Sequence, residues 1–94
     1  RGADATEVPP DLVTMNSTVE LRDLDTWEIE TYTIVYPERA DVALDRISVL
    51  APVGRAVLGS HVGDIVEVKV PSGWRRIQVE GIRYQPENAG DHHL

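Results

Sequence analysis

ISVLAPVGRAVLGSHVGDIVEVKVPSG, residues 47–73, is the segment around which the rest of the chain is organised. It predicts, in order, the end of a strand, a short helix, a turn and a second strand that enters a hairpin. Pro52 suits the first helical position, where a missing N–H costs nothing, and Gly59 is placed to end the helix as a left-handed cap. Between them the apolar residues recur at helical spacing, at Val53, Ala56 and Val57.

The strand after this helix is predicted from alternation. Val66, Val68 and Val70 alternate with charged residues, so one face of the strand is expected to be buried. Residues 71–73, Pro-Ser-Gly, are typical of the turn that follows. A helix this short does not persist alone, so we expect it to lie across the sheet that the flanking strands supply.

Residues outside this stretch add a hairpin and a last strand. Residues 18–24 and 27–36 alternate in the manner of an antiparallel hairpin. Residues 12–15 are apolar enough for a short edge strand, residues 41–44 suit a helical turn, and residues 75–84 form the predicted last strand. The chain therefore supplies five or six strands and one short helix.

Two strands change the phase of their alternation. In the second arm of the hairpin Trp27 and Ile29 fall on one face, whereas Tyr32 and Ile34 fall on the other. A bulge near residues 30–31 is expected to bring both pairs inward. The last strand has the same break around Gly81, and glycine inside a strand often marks a bulge.

The predicted fold class is α+β, a curved antiparallel sheet of five or six strands with one short helix packed on it. We expect residues 1–11 to be a linker or disordered arm, residues 12–86 to be the domain and residues 87–94 to be a polar tail. Alternation and the helix stripe predict the core residues, which are Val19, Leu21, Ile34, Val49, Val57, Leu58, Val66, Val68, Val79 and Ile82.

Composition excludes several classes of protein. The 94 residues suggest one domain, and a net charge of -7 argues against a general binder of nucleic acids or anionic membranes. The chain has no cysteine, which excludes disulfides, thiol catalysis and cysteine-ligated zinc. No apolar run reaches the roughly 18 residues of a membrane span, so we expect a cytoplasmic protein. Because the first residue is Arg1, we expect an N-terminal part to be missing.

No group of residues predicts catalysis, a metal or a cofactor. His92 and His93, beside Asp91, are neighbours in a polar tail, and adjacent residues rarely form a closed metal site. His61 lies in a predicted turn without a motif that links it to a nucleophile. The carboxylate pairs imply no acid–base geometry; they are Glu28 with Glu30 and Asp41 with Asp45.

Two surface features are open to a binding interpretation. Leu50, Ala51, Pro52 and Val53 form an apolar corner between strand and helix, which is either ordinary core or a docking surface. Residues 75–76, two arginines that follow Trp74, are either a small nucleic-acid patch or, as we favour in an acidic domain, an exposed hairpin end.

The central stretch resembles the C-terminal domain of the Gre-type transcript cleavage factors of bacterial RNA polymerase. The matching features are Ile47, Ser48, Val49, Pro52, Arg55, Leu58, Asp64 and the turn from Pro71 to Gly73. The likeness is tighter to one branch of this family, the regulators of nucleoside diphosphate kinase, and covers residues 7–94. The matching segments are VTMNS at 13–17, VYP at 35–37, APVG at 51–54, YQPE at 84–87 and AGD at 89–91.

The resemblance implies an FKBP-like fold and docking on RNA polymerase, on the rim helices of the largest subunit beside the secondary channel. The implied partner-binding residues are Ser48, Leu50, Ala51, Pro52, Val53 and Arg55. Gre factors present acidic residues at the tip of an N-terminal coiled coil. These 94 residues contain no coiled-coil pattern, so no residue here is given that role. The cleavage factors carry a polar or acidic residue where this chain has Leu50.

Three functions follow from these expectations. The first is a monomeric, non-catalytic regulator that binds RNA polymerase, competes with Gre factors and contacts neither a membrane nor a specific nucleic-acid sequence. The second is a regulator that binds an enzyme of nucleotide metabolism. The third, a peptidyl-prolyl isomerase, is suggested by the implied fold alone. We expect no isomerase activity, because that reaction needs an aromatic pocket and the chain has no phenylalanine.

Overall fold

The computed structural model describes residues 8–90. Five strands form one sheet in the order β3-β2-β1-β5-β4. The strands are β1 (Thr18–Asp23), β2 (Ile29–Val35), β3 (Arg46–Ser48), β4 (Ile65–Val70) and β5 (Gly73–Tyr84). Helix α1 (Pro52–Val57) follows β3, helix α2 (Pro86–Ala89) follows β5, and two 3₁₀ turns lie between β2 and β3, at Pro37–Arg39 and Val42–Leu44. The predicted α+β class is confirmed.

Strands β1 and β2 form the predicted antiparallel hairpin. Their register runs without a shift from Thr18 opposite Thr33 to Arg22 opposite Ile29. The bulge expected near residues 30–31 is therefore absent, and that prediction was wrong. Trp27 lies outside β2, at φ 67°, and Ile29 is exposed. Neither residue faces the core, so no bulge is needed to turn them inward.

The bulge predicted in β5 around Gly81 is present. Val79 lies opposite Leu21, whereas Ile82 lies opposite Val19, so β5 uses three positions where β1 uses two. This extra residue keeps both Val79 and Ile82 on the face that carries the core, and such a bulge bends and twists the sheet. A second register shift precedes Tyr84.

The sheet is mixed, because β3 runs parallel to β2. Ile34 lies opposite Ile47 in this pair. A parallel neighbour needs a connection that carries the chain back along the strand, and the two 3₁₀ turns supply it. The expected edge strand at residues 12–15 is reduced to a single bridge, between Leu12 and His61.

Helix α1 and the inner face of the sheet enclose the core. Of the predicted core residues, Val49, Val66 and Ile82 pack at its margin, and the following are buried: Val19, Leu21, Ile34, Val57, Val68 and Val79. Leu58 was predicted wrongly, since its side chain is 37% exposed. It follows the last residue of α1 in an extended conformation and so leaves the helical stripe. Alternation did not select three further buried residues, Val13, Val35 and Ile77.

Helix α2 lies in the part of the chain that was expected to be polar tail. Gly90 ends it at φ 85°. Gln85, which is buried just before it, donates from Nε2 to the carbonyls of Pro9 (2.8 Å) and Leu12 (2.7 Å). These bonds fasten the first described residues to the junction between β5 and α2. Residues 91–93, which carry the histidine pair, lie outside the described residues.

Candidate functional site

The candidate site is the corner, residues 48–55, where β3 turns into α1. Short hydrogen bonds fix its path. The Val49 N–H donates to the Val35 carbonyl at 2.8 Å, which ties the corner to β2. Ser48 accepts twice, at Oγ from the Leu50 N–H and at its carbonyl from the Ala51 N–H, both at 3.0 Å. The turn before α1 is thereby held in one conformation.

Gly54 lets α1 approach the end of β3 closely. A Cβ atom placed on Gly54 would lie 2.3 Å from the backbone carbonyl oxygen of Ser48. No larger side chain fits at that distance, so the corner and the helix behave as one packed unit. Pro52 stands at the start of α1, as predicted.

The structure brings the predicted docking residues together on this corner. Ser48, Ala51 and Val53 are half-buried, and Val53 packs against the core. Pro52 and Arg55 are exposed, and the Leu50 side chain is 66% exposed. The corner therefore presents an apolar surface on a rigid support. Arg55 has no ion pair within residues 8–90, so its charge is available to a partner.

A cavity of about 200 Å³ lies beneath the corner, between α1 and the inner face of the sheet. Most of its walls are apolar, from Leu21, Ile47, Val53, Val70, Pro71 and Ile77. Tyr32 is the single aromatic residue in the lining, so among residues 8–90 this cavity lacks the aromatic cluster that binding of a proline ring requires.

A cluster of charges closes one side of this cavity. Arg75 donates from Nε to Asp23 at 2.9 Å and from Nη2 to Glu30 at 3.4 Å. The Asp25 N–H, 2.8 Å from Asp23 Oδ1, holds the pKa of the Asp23 carboxyl below its ordinary value, and Arg75 adds to this against the effect of burial. Partial burial of the Arg75 guanidinium acts to lower its pKa. The hydrogen bonds and charge interactions with Asp23, and to a smaller extent with Glu30, outweigh this effect of burial, so the pKa of Arg75 is raised.

Sequence reasoning missed this cluster. Arg75 was predicted to be part of an exposed hairpin end, whereas its half-buried guanidinium pairs with the Asp23 carboxylate and also contacts the exposed Glu30 carboxylate. Asp23 follows Val19 and Leu21 at strand spacing, on the buried face of β1. The sequence did contain a signal for this cluster: Asp23 is a carboxylate at a position that alternation assigns to the buried face of β1. A buried charge needs a partner, so a cation close to Asp23 could have been predicted.

Replacing Asp23 by asparagine is expected to remove a pH-dependent part of the stability. Because the pKa of Asp23 in the folded domain lies below 3.8, its ordinary value, ionisation of Asp23 favours folding. This contribution is fully present above about pH 5 and is lost as the pH falls through 3.8 to the lowered pKa. The stability difference between the parent and Asp23→Asn should therefore shrink on acidification.

Urea unfolding of both proteins between about pH 7 and pH 2 measures this difference. Asp25→Asn is the matched control, because the exposed Asp25 carboxylate has no partner within residues 8–90. A parent-minus-Asp23→Asn difference that stays constant over this range would contradict the assignment.

The other candidate residues have local structural roles. His61 lies in a turn, where its N–H donates to Asp64 at 2.9 Å and its Nδ1 lies 3.1 Å from an Asp11 carboxylate oxygen. Asp41 caps the second 3₁₀ turn by accepting from the Ala43 N–H at 3.0 Å. In the described part of the chain no cluster of three His, Asp or Glu residues has the arrangement of a metal site. Residues 8–90 also contain no helix that could span a membrane.

Comparisons with known proteins point to one family. The family described as transcription elongation factor GreA/GreB, C-terminal, matches residues 8–84. A regulator of nucleoside diphosphate kinase from Escherichia coli (strain K12) is 44% identical over 89 residues, 94% of this chain. A transcription elongation factor GreA from Chelativorans sp. (strain BNC1) is 43% identical over 81 residues, 86% of this chain.

A solved structure agrees with these matches. The GreA/GreB elongation factor from Nitrosomonas europaea superposes with a TM-score of 0.75 at 42% identity, covering 87% of this chain and 69% of that one. The chain spans 65% of the length of the Escherichia coli relative and 52% of the Chelativorans relative. The likeness is therefore to part of each curated relative.

Proposed function

The chain belongs to the GreA/GreB C-terminal family of transcription elongation factors, and from this premise we propose that it is a non-catalytic regulator that docks on bacterial RNA polymerase through the corner. The observation that carries the proposal is the rigid, exposed apolar corner. The resemblance to Gre-type factors implies docking through these same residues, which supports the proposal. The proposed partner surface is the pair of rim helices beside the secondary channel.

The contacts available at the corner suit a helical protein surface. Burying an exposed leucine side chain contributes roughly 1.5–3 kcal/mol, and Leu50 loses little conformational freedom because Ser48 already holds its backbone. Pro52 adds rigid apolar area beside it. Arg55 supplies a charge that can pair with a carboxylate at the edge of the interface, where a charge mainly improves specificity and association rate.

Docking on the rim helices would also determine how the domain acts at the secondary channel. A domain that occupies the rim competes with Gre factors for the same surface. It stimulates no transcript cleavage, because residues 8–90 supply no coiled coil to enter the channel. The net charge of -7 adds steering toward basic surface, which salt weakens.

Competition binding against a labelled Gre factor on RNA polymerase tests the corner. We expect Leu50→Asp and Arg55→Glu each to weaken binding by about tenfold or more, which corresponds to about 1.4 kcal/mol. Leu50→Asp places a charge in an apolar contact, and Arg55→Glu reverses the charge at its edge. Circular dichroism and urea melts establish that both variants remain folded.

Matched controls place the same changes away from the corner. Val42→Asp adds a carboxylate at a side chain that is 92% exposed, and Arg76→Glu reverses an exposed charge on β5, outside residues 48–55. Both should bind as the parent does. If the corner variants compete as well as these controls, the corner is not the interface. If the parent does not bind RNA polymerase at tens of micromolar, RNA polymerase is not the partner.

A second function rests on one finding, the name of the Escherichia coli relative, a regulator of nucleoside diphosphate kinase. On this alternative the corner binds that kinase and changes its activity. Nucleoside diphosphate kinase assays with the parent and the corner variants distinguish the two. A change in kinase rate that Leu50→Asp abolishes, without binding to polymerase, selects the kinase.

A further inference from the structure

An outer-face pocket of about 200 Å³ lies on the sheet around a row of residues from four strands. Thr18 of β1 lies opposite Thr33 of β2 on one side and opposite Tyr84 of β5 on the other. Arg46 of β3 extends the same row, because it lies opposite Thr33. In β1, β2 and β3 the next residue along the chain packs in or against the core, so alternation turns the row toward the other face; these neighbours are Val19, Ile34 and Ile47.

Three further residues complete the outer-face pocket. Val35 lies in phase with Thr33 along β2, and its side chain is buried outside the core cluster, so it forms the floor. Arg39 comes from the first 3₁₀ turn and, like Arg46, is exposed at the rim. Asn16 lies just before β1. None of the lining residues belongs to the corner, so a ligand here and a partner at the corner would contact different side chains.

The charges at this pocket are unbalanced. Asp and Glu outnumber Lys and Arg by 16 to 9 in the chain, yet the lining contains two arginines and no carboxylate. Within residues 8–90 no carboxylate lies at ion-pair distance from Arg39 or Arg46. Asp41, whose backbone bridges to that of Arg46, uses its carboxylate to accept from the Ala43 N–H. Two like charges without a counter-ion repel each other, so an anion bound between them is stabilised by both.

The neutral side chains of the pocket add hydrogen-bond donors. Thr18 Oγ1 and Thr33 Oγ1 lie 2.8 Å apart, so one hydroxyl donates to the other and the accepting hydroxyl keeps its own hydrogen for a ligand. The Asn16 side-chain amide makes no hydrogen bond within residues 8–90. Its backbone is fixed at φ 66°, with its N–H donating to the Ile34 carbonyl at 2.7 Å. The donors are therefore held in place before a ligand arrives.

This set of donors matches a phosphoryl group better than a carboxylate. Two guanidinium groups, a hydroxyl and an amide offer more hydrogens than the two oxygens of a carboxylate accept, whereas a phosphomonoester has three terminal oxygens and a charge of about -1.5 to -2. A cavity of about 150 Å³ holds a benzene molecule, so this pocket has room for a phosphoryl group and the first carbon atoms of its ester. A long polyanion is disfavoured, because the net charge of -7 repels its further phosphates.

We propose that the outer-face pocket binds the phosphoryl group of a small phosphomonoester, held between Arg39 and Arg46. The threonine hydroxyls and the Asn16 amide complete its hydrogen bonds. The proposal does not depend on docking to RNA polymerase, because it concerns side chains outside residues 48–55.

The probe is glycerol 3-phosphate, titrated into the ¹⁵N-labelled chain without polymerase and at constant ionic strength, since salt screens exposed charges. The backbone amides of Thr18, Thr33 and Arg46 should shift to saturation with a Kd of about 1 mM. Arg39→Gln and Arg46→Gln should each weaken binding by about tenfold or more, because each removes a charged two-pronged donor. Arg76→Gln is the matched control and should bind within about twofold of the parent, since Arg76 is also exposed and without an ion pair in residues 8–90.

Three further ligands decide the chemical class. Acetate that binds as tightly as glycerol 3-phosphate would overturn the assignment to a phosphoryl group, and inorganic phosphate that binds more tightly would overturn the assignment to an ester. A short RNA oligonucleotide that binds more tightly than either phosphate would overturn the assignment to a small molecule. The site itself is wrong if no amide shift saturates below about 20 mM, or if Arg76→Gln loses as much affinity as the pocket variants. If Arg46→Gln does not fold, Arg39→Gln still decides, because Arg39 lies outside the sheet.

Discussion

Replacing Ile34 by alanine is expected to destabilise the domain by about 2–5 kcal/mol. Ile34 is fully buried, in a strand with a neighbour on each side. Its backbone is fixed as well, since its N–H donates to Ser17 at 3.0 Å and its carbonyl accepts from Asn16 at 2.7 Å. The backbone therefore cannot move to fill the space, and the lost side chain leaves a cavity.

Urea unfolding with a common m-value measures the loss. Leu58→Ala is the control, because Leu58 is partly exposed at the end of α1. We expect that change to lower the free energy of unfolding by less than about 1 kcal/mol. Equal losses at the two positions would contradict the placement of Ile34 at the centre of the core and of Leu58 at its surface.

Replacing Gly54 by alanine is expected to destabilise the domain by about 1–3 kcal/mol and to disturb the corner. The new Cβ would overlap the Ser48 carbonyl oxygen, which is backbone and cannot rotate away. Helix propensity alone favours alanine over glycine by about 1 kcal/mol. A net loss of stability therefore reports the close approach of α1 to β3 rather than the helix itself.

Gly81→Ala is the matched control for this change. Its Cβ would meet Glu20 Oε1, at 3.2 Å, which is the far end of a flexible side chain. We expect a change of less than about 1 kcal/mol there. In the polymerase competition assay Gly54→Ala should bind more weakly than Gly81→Ala, since it shifts Leu50 and Pro52 together. A stabilised Gly54→Ala that binds normally would contradict the packing at the corner.

Local pattern in the sequence was enough to predict most of the secondary structure. The start of α1 at Pro52, the left-handed Gly59, the alternation in β4 and the bulge at Gly81 all follow from backbone preferences or from spacing within one segment. These features depend on residues close together in the chain, so they can be predicted without knowing the partner strands.

Strand pairing and solvent exposure depend on contacts between residues that are far apart in the chain, and these features could not be predicted from local pattern. Trp27 and Ile29 have strand character but face solvent, because the register with β1 leaves them no place in the core. The parallel pairing of β3 depends on how the chain returns after β2. Alternation within one strand does not show which strand lies beside it or in which direction that strand runs.

The candidate site likewise has features that the sequence predicted and features that depend on the folded chain. Sequence and resemblance together selected the corner residues, but the contact that holds them, between Gly54 and the end of β3, joins two elements and appears only in the folded chain. The Asp23–Arg75–Glu30 cluster brings together three different strands. The outer-face pocket lies around a row of residues from four strands. Which strands pair, in which direction they run and which side chains they bury all depend on how the whole sheet closes around one core.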